Sequence, residues 1–332
     1  MNELASIVKE GRLALSRGLP TVLATVVAVR GSAYRRPGAR MLVTSEGWRA
    51  GSISGGCLEA DVTRQAAFLV ANGRALVRSY DTSEDAGARL GCGGEIDVLL
   101  EPLVDSNFLE LLARVEERRE TLTIRTALEG GAGEREVWVD GVCVFSNGPL
   151  AGRAVFEERV APSQRLLIVG AGHDALPVAR LAEELGWSVD VYDWRPGLLT
   201  KERFPTAKVT CVALDSLRFD VEPGTLAVVM AHHIDYDAGA LGLLLRDERV
   251  LSVGLLGPRH RSGQVLALVE GKTGRLTEAQ RARLRAPVGL DLGAEGPSAI
   301  ALSILAEAQA VRAGRSGGFL SVERSREQPS HG

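Results

Sequence analysis

The amino-acid sequence predicts an α/β protein of two domains, with a doubly wound parallel sheet in the C-terminal half. Its 332 residues are enough for about two domains. Hydrophobic residues make up 45% of the chain, which suffices for an ordinary buried core. Apolar strand-like runs alternate with helical segments in the C-terminal half, as in βαβ units. We expect an N-terminal α/β domain over residues 1–155, a second domain over 163–315 and a flexible tail over 316–332.

The charge and the cysteines exclude several classes of protein. A formal net charge of −3 provides no strong positive field for nucleic acid. The cysteines at positions 57, 92, 143 and 211 form no zinc-binding motif, so we expect reduced thiols and a cytoplasmic protein. The first residues have no apolar signal core, and no run approaches the roughly 18 apolar residues of a membrane span. We therefore expect neither nucleic acid nor a membrane as a partner.

Periodicity and turn residues predict the elements of the N-terminal half. They are helices over 4–17 and from about 57 to 73, strands over 21–29, 41–44, 74–80 and 95–102, and helix-and-strand segments over 106–118 and 121–145.

The segment GSISGGC (51–57) is the first candidate site. Small residues before a helix let backbone N–H groups converge on one point, and the helix start adds positive potential there, so the segment can bind an anion such as phosphate. Cys57 at that helix start should be a more acidic thiol that can bind a soft metal. The alternative is that Gly55 and Gly56 only form a tight turn and that Cys57 packs as a small apolar residue.

The segment GCGG (91–94) allows the same two interpretations. Glycines on both sides of Cys92, including Gly93, favour exposure of the thiol over core packing. The loop over 30–40 carries arginines that could neutralise a bound anion, although a basic loop is commonly just solvated. These arginines are Arg30, Arg35, Arg36 and Arg40.

A dinucleotide fingerprint begins the C-terminal half. The strand in RLLIVGAGHDA (165–175) leads into Gly170, Gly172 and Ala175, a GxGxxA turn before a helix over 177–186. The next strand ends on Asp193, where a carboxylate can accept hydrogen bonds from ribose hydroxyls. This arrangement predicts a Rossmann-like domain. Nucleotide binding stays open, because a second acid, at position 174, falls beside the expected pyrophosphate and would oppose it. The alternative is a Rossmann fold kept as a scaffold.

The remaining segments continue the alternation of strands and helices. Strands are predicted over 208–213, 225–231 and 249–257, and helices over 237–246, 259–270 and 297–313. Ligands of such sheets bind at the carboxyl ends of the strands. We expect four features to meet there: the glycine turn with His173, the acid Asp193, the pair His232 and His233, and the loop over 257–260. A metal bound by the adjacent histidines at 232 and 233 is disfavoured, since neighbouring side chains of a strand point to opposite faces.

Several motifs, in order along residues 20–315, resemble the bacterial XdhC/CoxI family, whose members are accessory factors for molybdenum hydroxylases such as xanthine dehydrogenase. The N-terminal motifs are ATVVAVRGSAYRRPGARMLV (24–43), GSISGGCLE (51–59) and LGCGGEIDVLLEP (90–102). The C-terminal motifs are LIVGAGHDALPVARLAEELGWSVDVYDWRP (167–196), VMAHHIDYD (229–237), VGLLGPRHR (253–261) and GLDLGAEGPSAIALSILAE (289–307).

The resemblance implies a chaperone without turnover of its own, and we assign no catalytic residue. Members bind the molybdenum cofactor (molybdopterin), protect it while sulfur replaces its terminal oxo ligand, and deliver it to the apo-enzyme. The implied partners are a molybdenum hydroxylase apo-enzyme and a NifS-like cysteine desulfurase. Cys57 and Cys92 match the family motifs and would bind the metal or the incoming sulfur, because soft thiolates suit both. The remaining N-terminal contacts to the cofactor would come from Gly55, Gly56, Gly93, Arg36 and Arg40.

Two other functions are kept as alternatives. One is an NAD(P)-dependent oxidoreductase that uses the crevice residues Gly170, Gly172, His173, Asp193 and His232. The other is a structural adaptor whose glycine-rich loops are only turns. Departures from the family pattern lie in the same crevice, at positions 174, 177, 231 and 258. A homodimer is expected, as the commonest assembly.

Overall fold

The structure, a computed structural model, describes residues 2–81 and 94–323. The chain divides into two compact units, Met1–Pro162 and Ser163–Gly332. The predicted site residues Cys92 and Gly93 lie outside the described residues, and so does the end of the predicted tail from residue 324. No helix in the described ranges is long and apolar enough to cross a membrane.

The first unit mixes helices and strands, as predicted. Its described helices are α1 (Glu3–Ser16), α2 (Glu59–Asn72) and α3 (Asn107–Glu117). Its described strands are β1 (Thr21–Gly31), β2 (Arg40–Thr44), β3 (Gly47–Gly51), β4 (Leu76–Asp81), β5 (Gly94–Leu103), β6 (Leu122–Ala127), β7 (Arg135–Val139), β8 (Val142–Ser146) and β9 (Val155–Val160).

These strands form two antiparallel sheets. The first has the order β3-β2-β1-β5-β4 and the second β8-β7-β6-β9. Helix α2 packs on one face of the first sheet through buried side chains such as Val62 and Leu69. Helices α1 and α3 pack on the other face and also contact the second sheet, where Leu109 belongs to the same apolar cluster as Ile124 and Val137.

The second sheet differs from the sequence prediction. Residues 121–145 form three strands rather than a helix and a strand. The hairpin between β7 and β8 turns at Asp140 and Gly141, whose φ angles are +48° and +80°. Positive φ at both residues is the requirement of a type I′ turn, and Asp-Gly is one of its preferred sequences. Strand β9 pairs with β6 and extends this unit past the expected end at residue 155.

Two buried Arg–Glu pairs join the two sheets. Arg135 of β7 pairs with Glu101 of β5, and Arg40 of β2 pairs with Glu158 of β9. All four side chains are at most 11% exposed. Burial raises the pKa of Glu101, against the attraction of Arg135 and Arg40. Arg40 is therefore buried and paired with Glu158, whereas the family resemblance implied that it contacts the cofactor.

The second unit contains the predicted parallel sheet. Its described elements are β10 (Arg165–Val169), α4 (Ala175–Glu184), β11 (Ser188–Asp193), β12 (Lys208–Cys211), β13 (Thr225–Val229), α5 (Ile234–Arg246), β14 (Val250–Leu255), α6 (Arg259–Thr273), α7 (Glu278–Arg283), β15 (Leu284–Arg285), α8 (Pro297–Arg312) and α9 (Leu320–Glu323).

The strand order β12-β11-β10-β13-β14-β15 confirms the doubly wound fold. Numbered along the chain, this order is 3-2-1-4-5-6, that of dinucleotide-binding sheets. Alternate side chains of β10 point to opposite faces of the sheet. Leu166 and Ile168 pack with α4 and α8 on one face. Leu167 and Val169 pack with α5 and α6 on the other. The order reverses between β10 and β13, so their carboxyl ends flank the crevice where ligands of such folds bind.

Candidate functional site

The loop between β3 and α2 presents an exposed glycine–cysteine tip. Gly55, Gly56 and Cys57 are exposed, whereas their neighbours Ser54 and Leu58 are buried. Gly56 has φ +110°, a conformation that glycine adopts without strain. Cys57 is therefore not packed as a small apolar residue, and its thiol is open to solvent.

The sequence predicted that backbone N–H groups of this loop bind an anion, and the carboxylate of Glu59 takes that place. It accepts backbone hydrogen bonds from Ser54 (2.9 Å), Leu58 (3.2 Å) and the amide at position 53 (3.3 Å), and one from the Ser54 hydroxyl. The helix begins at Glu59, within two residues of the predicted start near Cys57. Two of the donors expected to meet a foreign anion, the amides of Ser54 and Leu58, hold the loop together instead.

No role for Glu59 was predicted from the sequence, although an acidic residue in the first turn of a helix commonly accepts hydrogen bonds from the free backbone amides there. Burial raises the pKa of Glu59, but the hydrogen bonds from Ser54 and the surrounding amides outweigh burial and hold the pKa below its usual value. The carboxylate is therefore charged at neutral pH. It holds the loop on both sides, at Ser54 and at Leu58, and the exposed residues between them end at Cys57.

The arginine-rich loop over 30–40 approaches this tip. A Cβ on Gly55 would lie 3.8 Å from the ring of Tyr34, whose side chain is exposed. Arg36 is also exposed and makes no ion pair with another described residue. Of the four predicted arginines, Arg36 is thus the one whose charge no carboxylate of the described residues neutralises. Arg30 pairs with Glu95 and Asp97, Arg35 with Glu3, and Arg40 with Glu158.

The glycine turn of the second unit is built as predicted. Gly170 has φ +116°, and a Cβ there would lie 2.6 Å from the backbone of Ala231. The first glycine is therefore required for β10 and β13 to approach each other. A Cβ on Gly172 would meet nothing within 4 Å, so the surface above the turn is open. His173 is exposed beside it.

Asp193 is held by the chain's own donors. Its side chain is 0% exposed and accepts hydrogen bonds from the Ala171 amide (2.6 Å) and from the Arg195 amide, Nε and Nη2 (2.8–2.9 Å). Burial raises the pKa of Asp193, but the Arg195 side chain and the two amides outweigh burial and lower it. This carboxylate anchors the glycine turn to β11, and it is not free for the ribose hydroxyls that the sequence predicted as its partners.

His232 lies at the reversal of strand order, as predicted, and contacts a second crevice residue. Its φ of +61° is unusual for a residue with a side chain. The ring nitrogen Nε2 lies 3.2 Å from the carboxylate of Asp174, which joins the ends of β13 and β10. The neighbouring His233 instead accepts a hydrogen bond from the Tyr236 amide at the start of α5. The two histidines therefore have different hydrogen-bond partners within the chain.

The cleft beside His232 is acidic. It has a volume of about 660 Å³ and is lined by Asp174, His232, Pro258, Asp291 and Glu295, among others. Three carboxylates against one imidazole disfavour a pyrophosphate on this side of the crevice. Within residues 2–81 and 94–323, no three His, Cys, Asp or Glu side chains could hold a metal ion together. A site formed by Cys57 with Cys92 reaches beyond those residues and stays a prediction.

Each of the two units contains a region that matches a known protein family. The XdhC Rossmann domain matches residues 166–308, and the XdhC and CoxI family matches residues 14–81. The chain is 34% identical to a protein of Bacillus subtilis that is named as a probable subunit of xanthine dehydrogenase, over 86% of this chain and 91% of that protein.

Two further relatives cover nearly the whole chain. One is the molybdenum cofactor insertion chaperone PaoD of Escherichia coli, 27% identical over 90% of this chain and 86% of PaoD. The other is a crystal structure described as a xanthine dehydrogenase from Bacillus halodurans. It superposes with a TM-score of 0.79 at 29% identity and covers 98% of both chains.

Proposed function

The chain belongs to the XdhC and CoxI family, and from this we propose that it is an accessory chaperone for a molybdenum enzyme. It binds the molybdenum cofactor as cargo, protects the cofactor during sulfuration and delivers it to an apo molybdenum hydroxylase such as xanthine dehydrogenase. A NifS-like cysteine desulfurase supplies the sulfur. The chain acts in the cytoplasm as a homodimer.

The observation that carries this proposal is the match along 90% of the chain to the insertion chaperone PaoD. The match spans both units, so it is more than a likeness between Rossmann domains. The relative from Bacillus subtilis, whose name places it in a xanthine dehydrogenase, supports the class of enzyme served.

The cargo site that we propose is the tip of the loop between β3 and α2. Its thiol at Cys57 is exposed on a loop that Glu59 fixes, which suits a transient bond to molybdenum or sulfur. Gly55 and Gly56 leave room for the pterin, and Arg36 meets its phosphate. Cys92 and Gly93 complete the site by the family resemblance.

Delivery to an apo-enzyme tests the proposal. The chain is loaded by co-expression in a host that makes the cofactor, treated with a cysteine desulfurase and cysteine, and mixed with apo xanthine dehydrogenase. We expect xanthine oxidation to appear, and to stay near background when the desulfurase is omitted. Free sulfurated cofactor serves as the control that the apo-enzyme is competent. Activity with the free cofactor but none with the loaded chain would overturn the proposal.

A further inference from the structure

We infer that the Rossmann unit binds an adenine nucleotide that carries a phosphate on its ribose, such as NADP(H), in preference to NAD(H). This inference concerns the crevice at the end of β11 and goes beyond the proposed chaperone function. Its basis is that the acidic residue at that strand end, Asp193, already accepts hydrogen bonds from other residues of the chain.

A free carboxylate at the end of the second strand is the feature that selects an unphosphorylated ribose, because it accepts hydrogen bonds from the 2′-hydroxyl. Asp193 occupies that position but is 0% exposed. Its oxygens accept hydrogen bonds from the Ala171 amide and from three nitrogens of Arg195. The carboxylate that usually selects NAD(H) is therefore already hydrogen-bonded within the protein and does not face a bound ribose.

What this strand end shows to solvent is the cation of Arg195. Its side chain is 39% exposed. The guanidinium carbon lies 4.2 Å from the ring centre of Trp194, so the cation is stacked on the indole. Nε and Nη2 face Asp193, which leaves Nη1 for another acceptor. An arginine at this strand end is the arrangement that accommodates a ribose 2′-phosphate.

A second arginine adds positive charge beside the glycine turn. Nη2 of Arg203 donates to the carbonyl oxygens of Ala171 (2.9 Å) and Gly172 (3.3 Å). The β11 side of the crevice is thus cationic, whereas the cleft on the β13 side carries the carboxylates of Asp174 and its neighbours. On the β13 side, Asp174 opposes the pyrophosphate of NADPH and NADH alike. The difference between the two dinucleotides therefore comes from the ribose phosphate, which meets the cationic side.

The test compares binding of NADPH, NADH and 2′,5′-ADP to the full chain by isothermal titration calorimetry. We expect the Kd for NADPH to be about tenfold or more below that for NADH, the size of one charge-assisted contact to a phosphate. We also expect 2′,5′-ADP to compete with NADPH. Equal affinities for the two dinucleotides, or binding of neither, would overturn the inference.

Variants locate the preference. Arg195→Ala should weaken NADPH binding and release the Asp193 carboxylate for ribose hydroxyls, so the preference for NADPH over NADH should disappear or reverse. Arg195→Lys should give an intermediate difference if the alanine variant folds poorly. Arg249→Ala is the matched control, because Arg249 makes the same contacts to Asp247 that Arg195 makes to Asp193, but just before the start of β14, at the opposite end of the strands. A preference that survives Arg195→Ala would also overturn the inference.

Discussion

Replacing Glu101 with Leu is expected to lower the free energy of unfolding of the first unit by about 3–5 kcal/mol. The substitution leaves the guanidinium of Arg135 buried without its partner, and an uncompensated buried charge costs about that much. The double variant Glu101→Leu with Arg135→Met should recover most of the loss, because apolar residues replace a buried pair at little net cost. Calorimetry of the full chain measures the shift in the unfolding transition of this unit.

An exposed ion pair of the same unit is the control. Arg12 pairs with Glu110 on the surface, where both side chains are more than a third exposed. Glu110→Leu should change stability by less than about 1 kcal/mol, as surface pairs do. If Glu101→Leu were as mild as Glu110→Leu, the stability of the unit would not depend on the buried pair of Arg135 with Glu101.

Replacing Glu59 with Gln is expected to loosen the cysteine loop. The carboxylate receives hydrogen bonds from three backbone amides, two of them at Ser54 and Leu58, and a neutral amide side chain cannot accept them all. A loss of about 2 kcal/mol corresponds to roughly 30-fold faster hydrogen exchange at these amides. We expect cofactor retention to fall with it. Glu46→Gln is the control, since Glu46 lies in the turn between β2 and β3 and, among the described residues, forms its ion pair with Arg49 of β3.

The same carboxylate makes the loop sensitive to acid. The pKa of Glu59 is lowered in the folded chain, so its contribution to stability is complete above the unfolded value of about 4.3 and is lost as the pH falls through the folded pKa. Exchange at Ser54 and Leu58 should therefore accelerate below about pH 4 in the wild type beyond the intrinsic dependence. It should be fast and lack this step in Glu59→Gln. Unchanged protection in the variant would refute the role of Glu59.

The fold of the second unit follows from local sequence patterns. Buried strands, glycine ends of helices and the fingerprint at Gly170 each act within a few residues, so the sequence predicts the parallel sheet and its reversal point. The second sheet of the first unit was not predicted, because its strands are short and pair over long separations, as β6 does with β9. The resemblance to the XdhC/CoxI family is confirmed, and it came from motifs that span both units.

The candidate sites were harder to predict, because several of their charged side chains form ion pairs with other residues of the chain. Arg40 and Asp193 both sit where the sequence places them, yet each is paired inside the chain with Glu158 or Arg195. Spacing along the chain indicates which residues reach a strand end but not which neighbour neutralises them. For Cys57 the sequence left open a functional thiol or a packed apolar residue, and the structure exposes the thiol. The hydrogen bonds by which Glu59 holds this loop were not predicted.

Cofactor capture tests the chaperone account most directly. The chain is purified from a host that makes the molybdenum cofactor, denatured and oxidised, and the pterin released is measured by fluorescence. We predict near-stoichiometric pterin in the wild type, loss of pterin in Cys57→Ala and in Cys92→Ala, and full retention in Cys143→Ala, whose thiol is exposed in the second sheet of the same unit. Absence of pterin from the wild type, or its full retention in Cys57→Ala and Cys92→Ala, would contradict the account.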